Sequence, residues 1–246
     1  MRYTYSIALL LCLVSIPLSA ATIQVFGTGL DASGQFLSAG AMDPHYTLTV
    51  NDLGTGPNTF VAKGASATES LSQGVPPNWP DTPGTWATDP MAQWIAPQAD
   101  VVGIPGVGTN TFYTYQTTFD LTGFSLSGVQ LNGHFTADNY ISQVSLNGVP
   151  FYTGGGCVTG GNFTFENLTP FSLSSGFNPG VNTLSFNVTN DVCANSGGGA
   201  PNPSGLLVDV SGSAAAAIPE PVTMFPVAAV LAFAAFQYRR RYLRRT

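Results

Sequence analysis

Between Thr22 and Ile218 the chain has no arginine and a single lysine, Lys63. Twelve of the thirteen Asp and Glu residues, all except Glu220, fall in that stretch, giving it a formal charge of −11 against −6 for the whole chain. A surface of this sign repels nucleic acid and anionic membrane. Cysteine is scarce, with Cys12, Cys157 and Cys193 only, and histidine is limited to His45 and His134. That is too few for a zinc site of the Cys/His type. The chain has no G-x-S-x-G, no H-E-x-x-H and no glycine-rich loop opening a helix, so the signatures of α/β hydrolases, zincins and dinucleotide-binding folds are missing. No amphipathic helical period of useful length precedes the last thirty residues.

What is present is a period of two. Tyr113, Tyr115, Thr117, Phe119 and Leu121 alternate with Thr114, Gln116, Thr118 and Asp120. Leu184, Phe186 and Val188 alternate with polar residues, as do Tyr46, Leu48 and Val50. Such runs are half-buried strands. Further strands are expected at Ile23–Phe26, Val129–Phe135, Tyr140–Leu146, Phe163–Phe165 and Leu206–Val210. Turn chemistry marks Asn132-Gly133, Asn147-Gly148, Asn178-Pro179-Gly180 and Asn195–Gly199. Eight to ten short strands with polar turns predict an all-β fold, an antiparallel β-sandwich over residues 22–212. Gly74–Pro90 reads as a long loop and residues 213–217 as a linker. Of the mature region's two cysteines, Cys157 and Cys193, a disulfide is expected after export.

The two ends read as addresses. Residues 1–21 have the form of a secretory signal peptide, an N-terminal helix with Arg2 ahead of an apolar core, Ile7–Ile16, and small residues at the cleavage site. At the other end Ile218-Pro219-Glu220-Pro221 precedes an uncharged run, Val222–Tyr238, and then Arg239, Arg240, Arg241, Arg244 and Arg245. Seventeen helical residues span roughly 25 Å, enough for a short transmembrane helix, and the arginines hold its C-terminal end on the cytoplasmic side. This order of parts resembles the PEP-CTERM sorting signal of Gram-negative bacteria that make extracellular polysaccharide. The resemblance covers residues 218–246. It implies export, transient retention in the inner membrane, and cleavage near Pro219-Glu220-Pro221 by an exosortase, with delivery to the cell envelope, surface or extracellular matrix.

A second resemblance covers roughly residues 80–212. The segments Tyr113–Gly123, Gly133–Asn139, Val144–Gly148 and Gly180–Phe186 are similar to galactose-binding-like jelly-roll domains. That likeness implies a jelly roll and a glycan-binding or accessory role, in a superfold with many uses.

Three sets of candidate site residues follow. Trp79, Trp86 and Trp94 fall within a proline-rich stretch, and an exposed indole there would stack on a sugar ring; Trp86 is the expected exposed one and Trp94 the expected buried one. Asp138 and Asn139 offer hard oxygens at a turn, the donors a structural calcium ion takes, and Asp120 and Asp209 could converge on them in a sandwich. Asp43 and His45 stand two apart, on one strand face, yet a histidine bonded to a turn explains them as well. His134 has the same plain explanation. These residues make no catalytic constellation. The expected role is a non-catalytic interaction or glycan-binding module, with extracellular polysaccharide as a candidate partner. The alternatives are a structural or adhesive surface protein without a ligand site and, third, a secreted hydrolase.

Overall fold

A computed structural model describes residues 20–62, 86–100, 110–156, 164–190, 203–216 and 232–240. The described fold is mostly antiparallel β sheet, curled into a half-barrel. The strands are β1 (Ala20–Ile23), β2 (Met42–Asn51), β3 (Asn58–Val61), β4 (Ile95–Ala96), β5 (Thr111–Asp120), β6 (Phe124–Asp138), β7 (Tyr140–Leu146), β8 (Val149–Thr153), β9 (Thr169–Leu173), β10 (Val181–Asn190) and β11 (Gly205–Ala216). They lie in the order β8-β7-β10-β5-β2-β3-β4-β11-β6-β9, with β1 also on β11. Short β3 and β4 therefore join two broad halves, β8-β7-β10-β5-β2 and β11-β6-β9. Phe135 of β6 closes one half over the other. Its ring centroid lies 4.9 Å from that of Tyr152 on β8 and 6.0 Å from that of Phe186 on β10. Phe135 and Phe186 belong to one core with Tyr46, Tyr113, Tyr115, Leu131 and Leu184, and the partly buried Tyr152 packs against it.

The alternation expected for β5 and β10 is what buries them. Tyr113, Tyr115, Thr117 and Phe119 point inward, as do Leu184, Phe186 and Val188. In β2 the expected inward set breaks after Leu48. The register to β5 shifts between Leu48 and Val50, and the bulge turns Val50 out to solvent. Phe163–Phe165, expected as a strand, gives instead a 3-10 turn at Thr164–Glu166. Phe163 lies outside the described residues, and Phe165 alone anchors this turn in the core, 6.2 Å from Trp86.

Asn132-Gly133, expected at a turn, sits in the middle of β6. The glycine has a different reason. A Cβ at Gly133 would run into the backbone oxygen of Asp209 on β11 and meet the Phe171 ring at 2.9 Å, so only a residue without one lets the strands approach. Asn147-Gly148 does make the expected tight turn, with φ of 53° and 80°, between β7 and β8. It also binds the next turn. Asn147 Nδ2 donates to Asn182 Oδ1 at 2.8 Å, and Asn182 Nδ2 donates to the carbonyls of Asn178 and Gly180.

The boundaries differ from the expected ones. Residues 213–216 are not linker but the end of β11, because Ser213 and Ala215 pair with β6 while Ser213–Ala215 also pair with β1. Ala20 and Ala21, the last residues of the expected signal peptide, pair with Ala215 and Ala214. Residues 1–19 and the motif Ile218–Pro221 lie outside the described residues. So does most of the expected span Val222–Tyr238, of which residues 232–238 are helical; this helix, α1 (residues 232–240), continues through Arg239 and Arg240. Among the described residues no helix is long and apolar enough to cross a membrane.

Candidate functional site

Thr28 fastens the segment at residues 86–93 beside β11. The Thr28 N–H donates to the Val208 carbonyl at 2.8 Å, and its hydroxyl donates to the Gln93 carbonyl at 2.6 Å. The Gln93 N–H returns a bond to the Thr28 carbonyl at 2.9 Å. Trp94 Nε1–H adds a bond to the Ala87 carbonyl at 2.9 Å. A threonine between a strand and a loop thus sets the loop's register against β11, next to Asp209.

Within that segment Asp89 turns back on its own backbone. Its Oδ1 accepts the Met91 N–H at 2.7 Å, an Asx turn. The side chain is 4% exposed. On the sheet beneath, β6 and β11 place His134 directly opposite Asp209. His134 Nδ1 lies 3.7 Å from Asp209 Oδ2, with the two side chains 46% and 25% exposed. Ligand atoms of Asp89, His134 and Asp209 all lie within 4.8 Å of one another. Burial pushes the Asp209 carboxyl above the usual carboxylate range, the Asp89 charge pushes it further, and His134 opposes both. Among the described residues no other group of three or more His, Cys, Asp or Glu side chains is drawn so close together.

The sequence pointed elsewhere. Asp138 and Asn139 close β6, but Asp138 pairs with Gly205 while His134 pairs with Asp209. Four residues of strand, roughly 13 Å, therefore separate Asp138 from Asp209. Asp120 is further removed, at the β5 end, where its Oδ1 accepts the Thr122 N–H and hydroxyl. The three do not converge. Asp138 is buried, its Oδ1 has no hydrogen-bond partner, and burial drives its carboxyl well above the usual range. Burial of this kind disfavours the charged form of a carboxyl.

Trp86, expected to be exposed, is 4% exposed. Its indole packs between Trp94 and Phe165, so it belongs to the core and its faces are covered. Trp94 is buried as expected. Trp79, Cys157, Cys193, Arg241, Arg244 and Arg245 lie outside the described residues, and Arg239 and Arg240 close α1. Asp43 is occupied with backbone. Its carboxylate accepts the N–H groups of Gly29, His45 and Tyr46, while the His45 ring stacks on Phe26 at 3.8 Å. Asp43 caps a turn and does not pair with the His45 side chain as a dyad. On sequence alone His134 has a plain explanation, Asp209 is placed with Asp138 and Asp89 is passed over, and nothing in their spacing could have joined the three.

The chain matches no protein-family model, and neither curated proteins nor solved structures give a match.

Proposed function

We propose that this protein is exported and sorted to the cell envelope or extracellular matrix of a Gram-negative bacterium, where its jelly-roll-like domain acts as a non-catalytic module. The tail carries this reading. Pro219-Glu220-Pro221, an apolar run and an arginine cluster stand in the order of a PEP-CTERM signal. The side chains of α1 support it: Phe233, Phe236 and Tyr238 all stand exposed on one short helix, an arrangement suited to lipid rather than water. An exosortase is the implied partner, and the inner membrane the transient host. Mass spectrometry of the released protein tests this, with a C-terminus expected near Glu220. Released protein that still ends at Thr246 would reject the sorting reading.

For the role after sorting, burial of Trp86 and Trp94 favours a structural or adhesive surface protein over a glycan binder that uses these rings. Of the three candidate contacts, this leaves Trp79. Affinity electrophoresis of the released protein in gels cast with the host's extracellular polysaccharide separates the two roles. Retardation abolished by Trp79→Ala would restore the glycan reading, and unretarded migration supports the structural one.

A further inference from the structure

We infer that Asp89, His134 and Asp209 form a binding site for one divalent transition-metal cation of the zinc or manganese class. The argument begins with charge. Asp89 is almost wholly buried beside a second carboxylate, and buried carboxylates are ordinarily paired with a cation or bound to a metal. Among the described residues the lysines and arginines are Arg239 and Arg240 alone, both on the tail helix. A divalent cation held by two carboxylates and a neutral imidazole brings the sum of charges to zero.

Geometry agrees. The three donors come from three separate parts of the fold, a loop and two paired strands, and their ligand atoms lie within 4.8 Å of one another. Closing the ligand shell needs movements of about an ångström, which the part-exposed His134 ring and Asp209 carboxylate can supply. Their exposure also leaves an open side through which an ion enters and retains water. Nitrogen–oxygen donation selects the metal class: imidazole suits zinc, manganese and their neighbours, whereas calcium takes oxygen ligands. A bound ion would tie the 86–93 segment to β6 and β11, adding to the Thr28 bonds.

The test uses the full chain, purified in detergent and stripped with chelator, then dialysed against micromolar zinc, manganese or calcium chloride. Metal retained per chain is counted by plasma mass spectrometry. About one equivalent of zinc or manganese is expected, with a rise in thermal midpoint that grows with metal concentration. His134→Gln, at a half-exposed position clear of the core, should weaken retention at least tenfold without changing the circular dichroism of the metal-free protein. Asp89→Asn should do the same if it folds; if it does not, His134→Gln decides. Cys157→Ser/Cys193→Ser should retain the metal, which separates this site from thiolate binding. Absence of retained zinc and manganese, retention of calcium alone, or retention unchanged in His134→Gln would each overturn the inference.

Discussion

The indole of Trp86 lies 4.3 Å from that of Trp94, centroid to centroid, with the ring planes tilted by 43°. Both rings are buried and Phe165 flanks the pair. Trp86→Ala should therefore act on stability and not on ligand binding. A loss of about 3–5 kcal/mol is expected, as for other large aromatic deletions in cores. Trp86→Phe should recover much of it, since the Trp86 Nε1–H has no partner to lose. Urea midpoints of the two variants check this, and a change below about 1 kcal/mol for Trp86→Ala would place the ring outside the core.

Asn182 is fully buried and joins two turns. It donates to the carbonyls of Asn178 and Gly180 and accepts from Asn147 and from the Asn178 N–H. Truncation strands several of these partners, so Asn182→Ala should cost about 2–4 kcal/mol, beyond the roughly 1 kcal/mol of one exchanged hydrogen bond. Asn147→Ala removes fewer of these contacts and sits at a solvent edge, so it should cost less. Paired denaturant melts of the single and double variants give the coupling, which should be well above zero because the side chains touch.

How far the sequence could be read depends on where each strand lies. Interior strands β5 and β10 bury alternate residues against one core, and their period of two was legible. Strands β8 and β9 escaped notice because each contains a proline, Pro150 and Pro170, which argues against a central strand. They are the two ends of the sheet order, where a missing N–H costs little. Gly133 read as a turn residue because its cause, the backbone of Asp209, is seventy-odd residues away. The Asp89, His134 and Asp209 cluster was hidden for the same reason: strand register and the Thr28 clamp create it, and neither leaves a local pattern.

Cys157 and Cys193 lie outside the described residues, and the strands before them are β8 and β10. β8 and β10 both flank β7, antiparallel to it, and both leave the sheet at its Tyr140 end. Strands on either side of a third are roughly 10 Å apart. Cys157 follows Thr153 by four residues and Cys193 follows Asn190 by three. Thiol titration of the denatured, released protein should find no free thiol. Reduction should lower stability by about 3–4 kcal/mol, the loop-closure value for some 37 residues. Two free thiols in protein kept oxidised from export onward would reject the bridge.

Asp138 makes stability depend on pH in a direction that can be worked out. Its carboxyl is buried, Oδ1 has no partner, and burial raises it well above the ordinary carboxylate range. Below about pH 4 the side chain is protonated in both folded and unfolded chains and contributes no pH dependence. As pH rises from there, the unfolded chain loses the proton first while the folded one keeps it. Stability then falls by up to about 1.4 kcal/mol per pH unit until the folded group also ionises. Asp43, also raised by burial, slopes the same way. Asp138→Asn removes the ionisable group and keeps the shape. Relative to the parent, it should gain stability as pH rises above about 4, whatever fixed offset its amide introduces. Urea midpoints of both proteins across that range decide the matter: parallel curves would mean that Asp138 ionises as freely in the fold as outside it.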